Sequence, residues 1–291
     1  MIIDTDDYAA SGIKVITFSG GEPHVQMDKW PTKHAHIFAK IRNANDLLAF
    51  LAVCDSLEHQ GVSRQVFAPY LPGARQDRVQ LQGAFTADLY AWLLSGAASK
   101  LTAVDVHSSE AKTIFRERME NDGGSFNTLS ATPIIKNLTA YRQYDFVVAA
   151  DAGATSRATE VAEALGVGRI LQCTKSRDPK TGAVMITVPD HLRASSRRGK
   201  FQDSYLIPDD ICDGGATFVA IADRIKAQRA SVLDLFVTHG IFSKSLQPFV
   251  GYFRNLFTTD SFYTLGNYVD SDISLCVEPL LPYYTESLVQ P

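Results

Sequence analysis

Strand-like and helix-like segments alternate along this chain almost from end to end, and this alternation restricts the fold more than any other feature. Short apolar runs such as KLTAVDV (residues 100–106) and YDFVVAADA (residues 144–152) are typical of buried strands. Segments with helical spacing of apolar residues follow such runs, for example TSRATEVAEALG (residues 155–166). Because parallel strands need a crossover connection, usually a helix, this order predicts an α/β fold with helices on both faces of parallel sheets.

The alternating pattern runs through twice, with the first round ending near residue 134. A length of 291 residues is more natural for two domains than for one. We therefore predict two doubly wound parallel-sheet domains, residues 1–134 and residues 135–291. No glycine-, serine- or proline-rich linker separates them in the sequence, so we expect them to be closely packed.

Two helix starts can be predicted from capping residues. The apolar residues of segment 45–60 have helical spacing, which predicts a helix with Asn45 as its N-cap. The same reasoning predicts a helix over residues 86–99 that is capped by Thr86.

Charge and cysteine content exclude several classes of protein. The formal charge of -4 gives no electrostatic reason to expect nucleic acid or an anionic membrane as a partner. The four cysteines form no CxxC pair, which argues against a zinc site or a disulfide framework. The first ten residues are acidic where a signal peptide is basic, and no apolar run is long enough to span a bilayer. We therefore expect a cytoplasmic protein.

The segment richest in possible chemistry is YLIPDDICDGGAT, residues 205–217. In α/β sheets ligands bind at the carboxyl ends of strands, and here a predicted strand ends in the paired carboxylates Asp209 and Asp210. Asp213 follows, and then a glycine-rich start of a helix, where backbone N–H groups can hold a phosphate. The aspartates could accept hydrogen bonds from sugar hydroxyls. On the residues alone, a strand-to-helix turn with capping aspartates remains an alternative.

Two segments in the first half carry groups suited to phosphate and metal. In YLPGARQDRVQ (residues 70–80), arginine side chains follow a Pro-Gly turn, and the planar guanidinium group suits phosphate. A solvated surface turn would have the same sequence features.

In TAVDVHSSEAKTIF (residues 102–115), Asp105 and His107 are two residues apart on a predicted strand and would point to one face. Such a pair can bind a divalent ion, but more often it forms a hydrogen-bonded core couple.

Two further segments lie in the second half. VVAADAGATSRATEVAEALG (residues 147–166) places Asp151 at a strand end, where it could bind a ligand or simply cap the next helix. CTKSRDPKTGAV (residues 173–184) reads as a polar basic loop that carries Lys175 and Arg177. A basic loop is usually just solvated, but a mobile one can close over a substrate and supply positive charge. The chain has no GxxxxGK[ST] loop, which argues against a Walker-type NTPase.

In this order the segments resemble those of the PRPP synthetase (ribose-phosphate pyrophosphokinase) family, which implies a fold of the type I phosphoribosyltransferase kind. DDICDGGAT is similar to the PRPP-binding loop DDxxDTGGT of that family and of phosphoribosyltransferases. By this resemblance the residues that bind the ribose phosphate are Asp209, Asp210, Asp213, Gly214, Gly215, Ala216 and Thr217. Gly214 stands where the family has threonine, and Ala216 where it usually has glycine.

The remaining segments resemble parts of the same family in order. ARQDR (residues 74–78) is similar to its ATP-binding stretch, which phosphoribosyltransferases lack, and VITFSGGEPHVQ (residues 15–26) resembles a segment that meets adenine across a subunit boundary. Gly20 replaces the usual Asp or Asn of that segment. The resemblance implies that the ATP-binding residues are Phe18, Glu22, Arg75, Gln76, Asp77 and His107. It implies that the catalytic pair is Lys175 and Arg177, and the expected magnesium ligands are His107, Asp151 and Asp105.

The resemblance implies an enzyme of nucleotide biosynthesis. It would use Mg²⁺ to transfer the diphosphate of ATP to the C1 hydroxyl of ribose 5-phosphate, giving PRPP and AMP, and it would form a homo-oligomer. Because the loop is altered at Gly214 and Ala216, the same transfer to a 5-substituted ribose phosphate such as ADP-ribose is an alternative. A non-catalytic regulatory subunit related to PRPP synthetase is a second one.

Overall fold

The chain forms two compact units, each with alternating strands and helices. The computed structural model describes residues 1–31, 33–78, 85–177, 184–190, 202–228, 231–263, 268–269 and 273–289. The first unit consists of Met1–Ser130 together with the C-terminal segment from Leu280, and the second is Ala131–Pro279. Within the described ranges, no helix combines the length and the apolar character that crossing a membrane requires.

The first unit is built on a five-stranded parallel sheet with an added hairpin. Its elements up to residue 130 are β1 (Ile2–Asp4), β2 (Ile13–Thr17), β3 (Pro23–Met27), β4 (His34–Phe38), α1 (Ala44–His59), β5 (Ser63–Phe67), α2 (Thr86–Ala97), β6 (Lys100–Val104), α3 (Ser109–Asn121) and β7 (Ser125–Leu129). The sheet order is β1-β4-β5-β6-β7, and every neighbouring pair is parallel. Strands β2 and β3 pair with each other in antiparallel fashion.

One row of apolar side chains crosses the whole of this sheet. The strand register aligns Ile3, Ile37, Val66, Leu101 and Phe126. All five are buried. Because burying one large aliphatic side chain contributes about 1.5–3 kcal/mol, such a row strongly favours this register over a slipped one.

The second unit is built on a larger, mostly parallel sheet. Its elements are α4 (Thr132–Leu138), β8 (Phe146–Ala149), α5 (Thr155–Leu165), β9 (Ile170–Gln172), β10 (Thr174–Arg177), β11 (Val184–Thr187), β12 (Asp203–Cys212), α6 (Ala216–Gln228), β13 (Ser231–Gly240), β14 (Asn255–Thr259), β15 (Tyr268–Val269) and β16 (Ser274–Glu278). The seven-stranded order is β15-β16-β14-β13-β12-β8-β9, in which only β15 is antiparallel to its neighbour among the described strands. Strands β10 and β11 form a separate hairpin. The predicted α/β fold with parallel sheets is confirmed.

The C-terminal helix α7 (Leu281–Val289) belongs to the first unit, although the sequence pattern assigns it to the second domain. The Tyr284 ring stacks on Phe67 of β5, with centroids 4.6 Å apart and planes 5° from parallel. Its hydroxyl lies 3.4 Å from Nδ1 of His36 in β4. These contacts are long-range, so the alternation of strands and helices contains no signal for them. The boundary between the units correspondingly falls after Ser130 rather than after residue 134.

Both predicted helix caps are wrong by one or two residues. Helix α1 is capped by Asn43, whose side chain accepts hydrogen bonds from the N–H groups of Asn45 and Asp46 at 2.9 and 3.0 Å. The sequence offers two asparagines, and the extended backbone of Asn43 selects it as the cap. Thr86 is the first residue of α2 rather than its cap, because the preceding Phe85 takes the cap position.

Candidate active site

Two adjacent carboxylates lie within β12, near the carboxyl edge of the second sheet. Asp209 and Asp210 belong to the strand, which continues to Cys212 instead of ending at the pair as the sequence predicts. The Asp210 N–H donates to Oδ1 of Asp209 at 2.9 Å. Burial raises the pKa of the Asp209 carboxyl well above its ordinary value, and the neighbouring Asp210 carboxylate raises it further. The surroundings of Asp209 therefore disfavour its charged form.

One arginine partly offsets this charge. Nε of Arg157, in α5, lies 3.9 Å from Oδ1 of Asp209, and its Nη2 lies 4.0 Å from Oδ1 of Asp210. Both distances are longer than the 2.7–2.9 Å of a close charged hydrogen bond. Arg157 lowers the pKa of Asp209, but burial and Asp210 outweigh it. Burial and the Asp210 carboxylate therefore dominate the pKa of Asp209, and a bound metal ion would favour its charged form.

The predicted phosphate loop does open a helix. Helix α6 begins at Ala216, and the first N–H groups of a helix have no acceptor within it, which suits an anion. Gly215 has a φ of +77°, and a Cβ on it would lie 2.3 Å from Cζ of Phe249, so only glycine fits there. Ala216 is exposed and helical, so its methyl group is accommodated without a glycine.

Asp151 caps the short turn that follows β8. Its Oδ1 accepts from the N–H groups of Gly153 and Ala154 at 3.0 and 3.2 Å. Because β8 pairs in parallel with β12, Asp151 leaves the sheet at the same edge as the carboxylate pair. Within the described residues Oδ2 of Asp151 has no partner, so capping leaves one oxygen for a ligand.

Lys175 lies beside the glycine-rich loop that opens α6, and it is part of a strand. The sequence predicts a loop over residues 173–184, whereas β10 pairs Lys175 with Ile186 of β11. The polar TKSR pairs with the apolar VMIT, and Ile186 of β11 is buried whereas Lys175 is exposed. Nζ of Lys175 lies 3.4 Å from Oγ1 of Thr217, which brings two predicted site residues together. The Arg177 side chain and residues 178–183 lie outside the described part of the chain.

In the first unit, a hydrogen bond from Ser108, the residue after His107, reaches the predicted ATP-binding segment. The Ser108 hydroxyl donates to Oδ2 of Asp77, and it also caps α3 by accepting from the Ala111 N–H at 3.0 Å. Arg75 and Gln76 are exposed beside Asp77. Ser108 was not among the predicted residues, although a serine before a helix is a recognisable capping signal.

Asp105 and His107 do not lie on a strand, so the argument that they point to one face does not hold. Strand β6 ends at Val104, and Asp105 has a φ of +48°, which breaks the two-residue alternation. A left-handed backbone at a residue other than glycine is strained, and such positions cluster at functional sites. His107 is exposed. Among the described residues, no group of three or more His, Cys, Asp or Glu side chains could hold a metal by itself.

Phe18 and Glu22 lie at the tip of the β2–β3 hairpin. The Phe18 N–H donates to the Glu22 carbonyl at 2.9 Å, and the Phe18 side chain is 56% exposed. A Cβ on Gly20 would lie 2.5 Å from Oε2 of Glu22, so the carboxylate of Glu22 occupies the space above this glycine. The hairpin therefore presents an exposed aromatic ring and a carboxylate together.

Phe249 is a second residue that sequence reasoning missed. It is fully buried and supports the glycine loop by contact with Gly215. Phe249 and Gly215 come from separate segments of the chain, and no local pattern links them.

Comparison with known proteins gives a consistent result. No model of a protein family matches the chain. The ribose-phosphate pyrophosphokinase of Maricaulis maris is 28% identical over 274 residues, which cover 89% of this chain and 82% of the relative. That of Aquifex aeolicus is 28% identical over 240 residues, or 79% of this chain and 71% of the relative. The solved phosphoribosylpyrophosphate synthetase of Mycobacterium smegmatis has a TM-score of 0.77 and 20% identity, covering 99% of this chain and 97% of that one. The chain is thus a relative of the ribose-phosphate pyrophosphokinases, which are diphosphotransferases, and it has the fold of a PRPP synthetase.

Proposed function

We propose that this protein transfers the diphosphate of ATP to the C1 hydroxyl of ribose 5-phosphate, giving PRPP and AMP. The observation that carries the proposal is the group of residues at the carboxyl edge of the second sheet. Two carboxylates, a glycine-rich helix start and the Lys175 ammonium all belong to one small region there. A sugar phosphate needs these three kinds of partner, namely acceptors for hydroxyls, donors for phosphate and a cation.

In this proposal the acceptor sugar is held by β12 and the loop after it. Asp209, Asp210 and Asp213 accept hydrogen bonds from the ribose hydroxyls. The loop from Gly214 to Thr217 donates backbone N–H groups to the 5-phosphate, as a helix start does for other anions. The close contact between Gly215 and Phe249 supports this role because it holds the loop in one conformation.

One or two of the carboxylates Asp151, Asp209 and Asp210 are proposed to hold a magnesium ion. Mg²⁺ is usually held by one or two carboxylates together with substrate phosphates and water, so a three-ligand protein cluster is not required. The unused oxygen of Asp151 and the raised pKa of Asp209 are the properties expected of groups that meet a cation during the reaction. When bound, the ion neutralises phosphate charge. Asp105 and His107, in the first unit, are the proposed contacts to the metal–nucleotide complex.

ATP is proposed to bind to residues of the first unit. Arg75 and Gln76 are exposed and can donate to the triphosphate, and the hydrogen bond from Ser108 fixes the Asp77 carboxylate near His107. The Phe18 ring at the hairpin tip is proposed to meet the adenine. Because the family reads adenine across a subunit boundary, we propose that a second copy of the chain supplies this ring and that the protein is a homo-oligomer.

The reaction forms one bond and breaks one. The C1 oxygen attacks the β-phosphorus of ATP, the bond from that phosphorus to the bridging α,β-oxygen breaks, and the electron pair leaves with AMP. The proton of the C1 hydroxyl passes to solvent or to a carboxylate of β12. Lys175 and Arg177 stabilise the charge on the transferring group, and the rest of catalysis is positioning.

The altered sequence of the glycine-rich loop suggests a second candidate for the acceptor sugar. Gly214 has no hydroxyl to offer a phosphate, unlike the threonine that the resembled loop carries at this position. ADP-ribose, which carries a free C1 hydroxyl and a substituted 5-phosphate, is therefore the alternative acceptor. A non-catalytic regulatory subunit is disfavoured, because Asp151, Lys175 and the carboxylate pair are all retained.

The test is AMP release from Mg-ATP with either acceptor, with products identified by mass. We expect AMP and PRPP with ribose 5-phosphate, and little AMP with ADP-ribose or with no acceptor. AMP with ADP-ribose alone would move the assignment to that acceptor. Binding of Mg-ATP without AMP from either sugar would contradict the proposed reaction and favour the regulatory subunit.

A further inference from the structure

The side chain of Lys244 lies against the proposed acceptor loop. Its Cδ, Cε and Cγ atoms are 3.3, 3.4 and 3.6 Å from the position that a Cβ on Gly214 would occupy. The ammonium is one bond beyond Cε, so it lies near the loop that opens α6. No sequence motif identified this residue, which follows the end of β13 by four positions.

The segment that carries Lys244 is fixed to the strand that leads into the loop. The N–H groups of Ile241 and Phe242 both donate to the carbonyl of Cys212, at 2.9 and 3.2 Å, and Cys212 is the last residue of β12. The same segment turns through two left-handed residues other than glycine, Phe242 at φ +47° and Ser245 at φ +60°. Backbone strain of this kind persists only where the surroundings hold it, and it is concentrated at ligand sites.

One aromatic pair supports both the segment and the loop. The rings of Phe242 and Phe249 meet edge to face, with centroids 5.7 Å apart. Phe249 is also the ring that contacts Gly215. The segment that carries Lys244 and the glycine-rich loop therefore pack against the same aromatic residues, which fixes their positions relative to each other.

Gly214 and Lys244 form a matched pair. Gly214 does not have a positive φ, so its backbone does not require glycine, in contrast to Gly215. The three nearest atoms to a Cβ at position 214 all belong to the Lys244 side chain. A glycine at this position therefore leaves room for the lysine stem to cross the loop.

Lysine side chains lie at both ends of the glycine-rich loop. Its side chain is exposed, and within the described ranges its ammonium makes no ion pair with a carboxylate. A second ammonium, that of Lys175, lies at the other end of the loop, 3.4 Å from Oγ1 of Thr217. Two lysines at the two ends of a helix-opening loop provide point charges for the oxygens of one phosphate.

We propose that Lys244 binds the phosphate at C5 of the acceptor sugar and helps to determine which acceptor is used. The inference rests on the proposed function, since it concerns the same loop. The ammonium takes the place of a hydroxyl donor at position 214, and the contact with the phosphate becomes dependent on charge. A phosphate monoester and the diphosphate of a 5-substituted ribose both offer the required anionic oxygens, so the experiment must compare them.

The test measures acceptor binding and turnover in Lys244→Gln, with Lys244→Arg as the conservative variant and Lys136→Gln as a matched control. Lys136 is an exposed lysine of α4 in the same unit. Calorimetry with ribose 5-phosphate or ADP-ribose, without ATP, gives binding independently of the reaction. For Lys244→Gln we expect the Kd and KM of the preferred sugar to rise about tenfold, the size of one charged hydrogen bond. The KM of ATP should not change, Lys244→Arg should restore most of the affinity, and Lys136→Gln should behave as the wild type.

The outcomes separate this inference from the proposed reaction. If the wild type makes AMP and the acceptor KM is unchanged in Lys244→Gln, the role of Lys244 is overturned while the reaction stands. If the wild type binds a sugar but releases no AMP, the reaction fails, and the Kd of Lys244→Gln alone decides the inference. Unchanged affinity in that case overturns it, as does the absence of any sugar binding by the wild type.

Discussion

At the scale of single residues, the two carboxylates of β12 show a conflict between a proposed binding site and the stability of the fold. Asp209 and Asp210 are adjacent on one strand, and Asp210 is only 6% exposed. Arg157 lies beside both, with Nε 3.9 Å from Asp209 and Nη2 4.0 Å from Asp210. Two neighbouring carboxylates that are shielded from water repel each other when both are charged, and this repulsion lowers the stability of the fold. Ionisable groups with a raised pKa of this kind are typical of functional sites, which agrees with the proposed role of the pair in binding.

Asp209→Asn is expected to stabilise the protein at neutral pH. The pKa of Asp209 is raised, chiefly by burial and then by Asp210, so folding favours its protonated form. The stability that the protonated Asp209 carboxyl contributes is fully present below its ordinary pKa of 3.8. It is lost as the pH rises through the raised pKa of the folded state. At pH 7 the variant should gain about 1 kcal/mol in the free energy of unfolding, and it should approach the wild type in acid. Urea unfolding at several pH values measures this.

The control for that experiment is Asp223→Asn on the exposed surface of α6. It makes the same change in charge and should alter stability by no more than about 0.5 kcal/mol. Asp209→Asn should also lose affinity for ribose 5-phosphate, whereas Asp223→Asn should not. A loss of stability at pH 7 in Asp209→Asn would contradict the repulsion argument.

Lys175→Ala is expected to reduce turnover rather than nucleotide binding. Lys175 is exposed on β10 and reaches Thr217, so its charge is directed at the acceptor loop. Removal of one group that stabilises developing charge costs on the order of 100-fold in kcat. Steady-state AMP release should show this loss with little change in the KM of ATP. Lys136→Ala removes an equivalent exposed charge and should leave kcat unchanged, so an equal loss in both variants would argue against a specific role.

At the scale of elements, the sequence predicts the alternation and the strands well, because their apolar patterns are local. It predicts helix ends less well: Asn43 caps α1 in place of Asn45, and Phe85 takes the cap position at α2. It also misassigns the β10–β11 hairpin as a loop, since the polar TKSR has little apolar character and becomes a strand only by pairing. Each of these wrong predictions concerns a feature that depends on the pairing partner or the backbone conformation of a segment. Residue propensities carry no information about either.

The candidate site shows the same division between local and long-range information. The acidic pair, the glycine loop and Lys175 could be found in the sequence because each stands in a short motif. The residues that pack against the glycine loop could not be found in this way, since Phe249 and Lys244 come from a distant segment of the chain. Asp105 illustrates a further limit, because its left-handed backbone removes it from the strand on which it was predicted.

Gly215→Ala is expected to be far more damaging than Gly251→Ala. The two glycines have almost equal φ values, +77° and +78°, so the strain of a left-handed alanine is matched at about 1–2 kcal/mol. A methyl group at position 251 meets open space, whereas at position 215 it meets the Phe249 ring. Thermal unfolding of both variants isolates the effect of that ring. Equal destabilisation of the two would show that Phe249 yields easily and does not hold the loop.

Tyr284→Ala is expected to destabilise the first unit. Tyr284 is 3% exposed and stacks on Phe67, so its truncation should cost about 3 kcal/mol of unfolding free energy. Tyr284→Phe keeps the stacked ring and loses the long hydroxyl contacts to His36 and Gln65, of 3.4 and 3.5 Å, so it should remain within about 1 kcal/mol of the wild type. Chemical denaturation measures both. A large loss in the phenylalanine variant would mean that the hydroxyl, rather than the stacking, holds α7 in place.

At the scale of the whole molecule, the two units carry different halves of the proposed chemistry. The residues proposed for ATP, among them Arg75, Asp77 and His107, belong to the first unit. Those proposed for the acceptor sugar and for transfer, Asp209 and Lys175 among them, belong to the second. Both units are α/β folds built on parallel sheets. His107 follows the end of β6, and Asp209 lies near the carboxyl end of β12, where this class binds its ligands. The account therefore predicts a reaction that requires both substrates together.

The central claim is that the whole diphosphate of ATP moves, and a label on the β-phosphorus tests it most directly. The measurement is the fate of that label in a reaction of Mg-ATP with ribose 5-phosphate, with all products separated. The account predicts that the label appears in the sugar product and that the AMP formed carries none. Label recovered in ADP or in free diphosphate, with no labelled sugar, would mean that the protein acts as an ordinary kinase or hydrolase and would contradict the account.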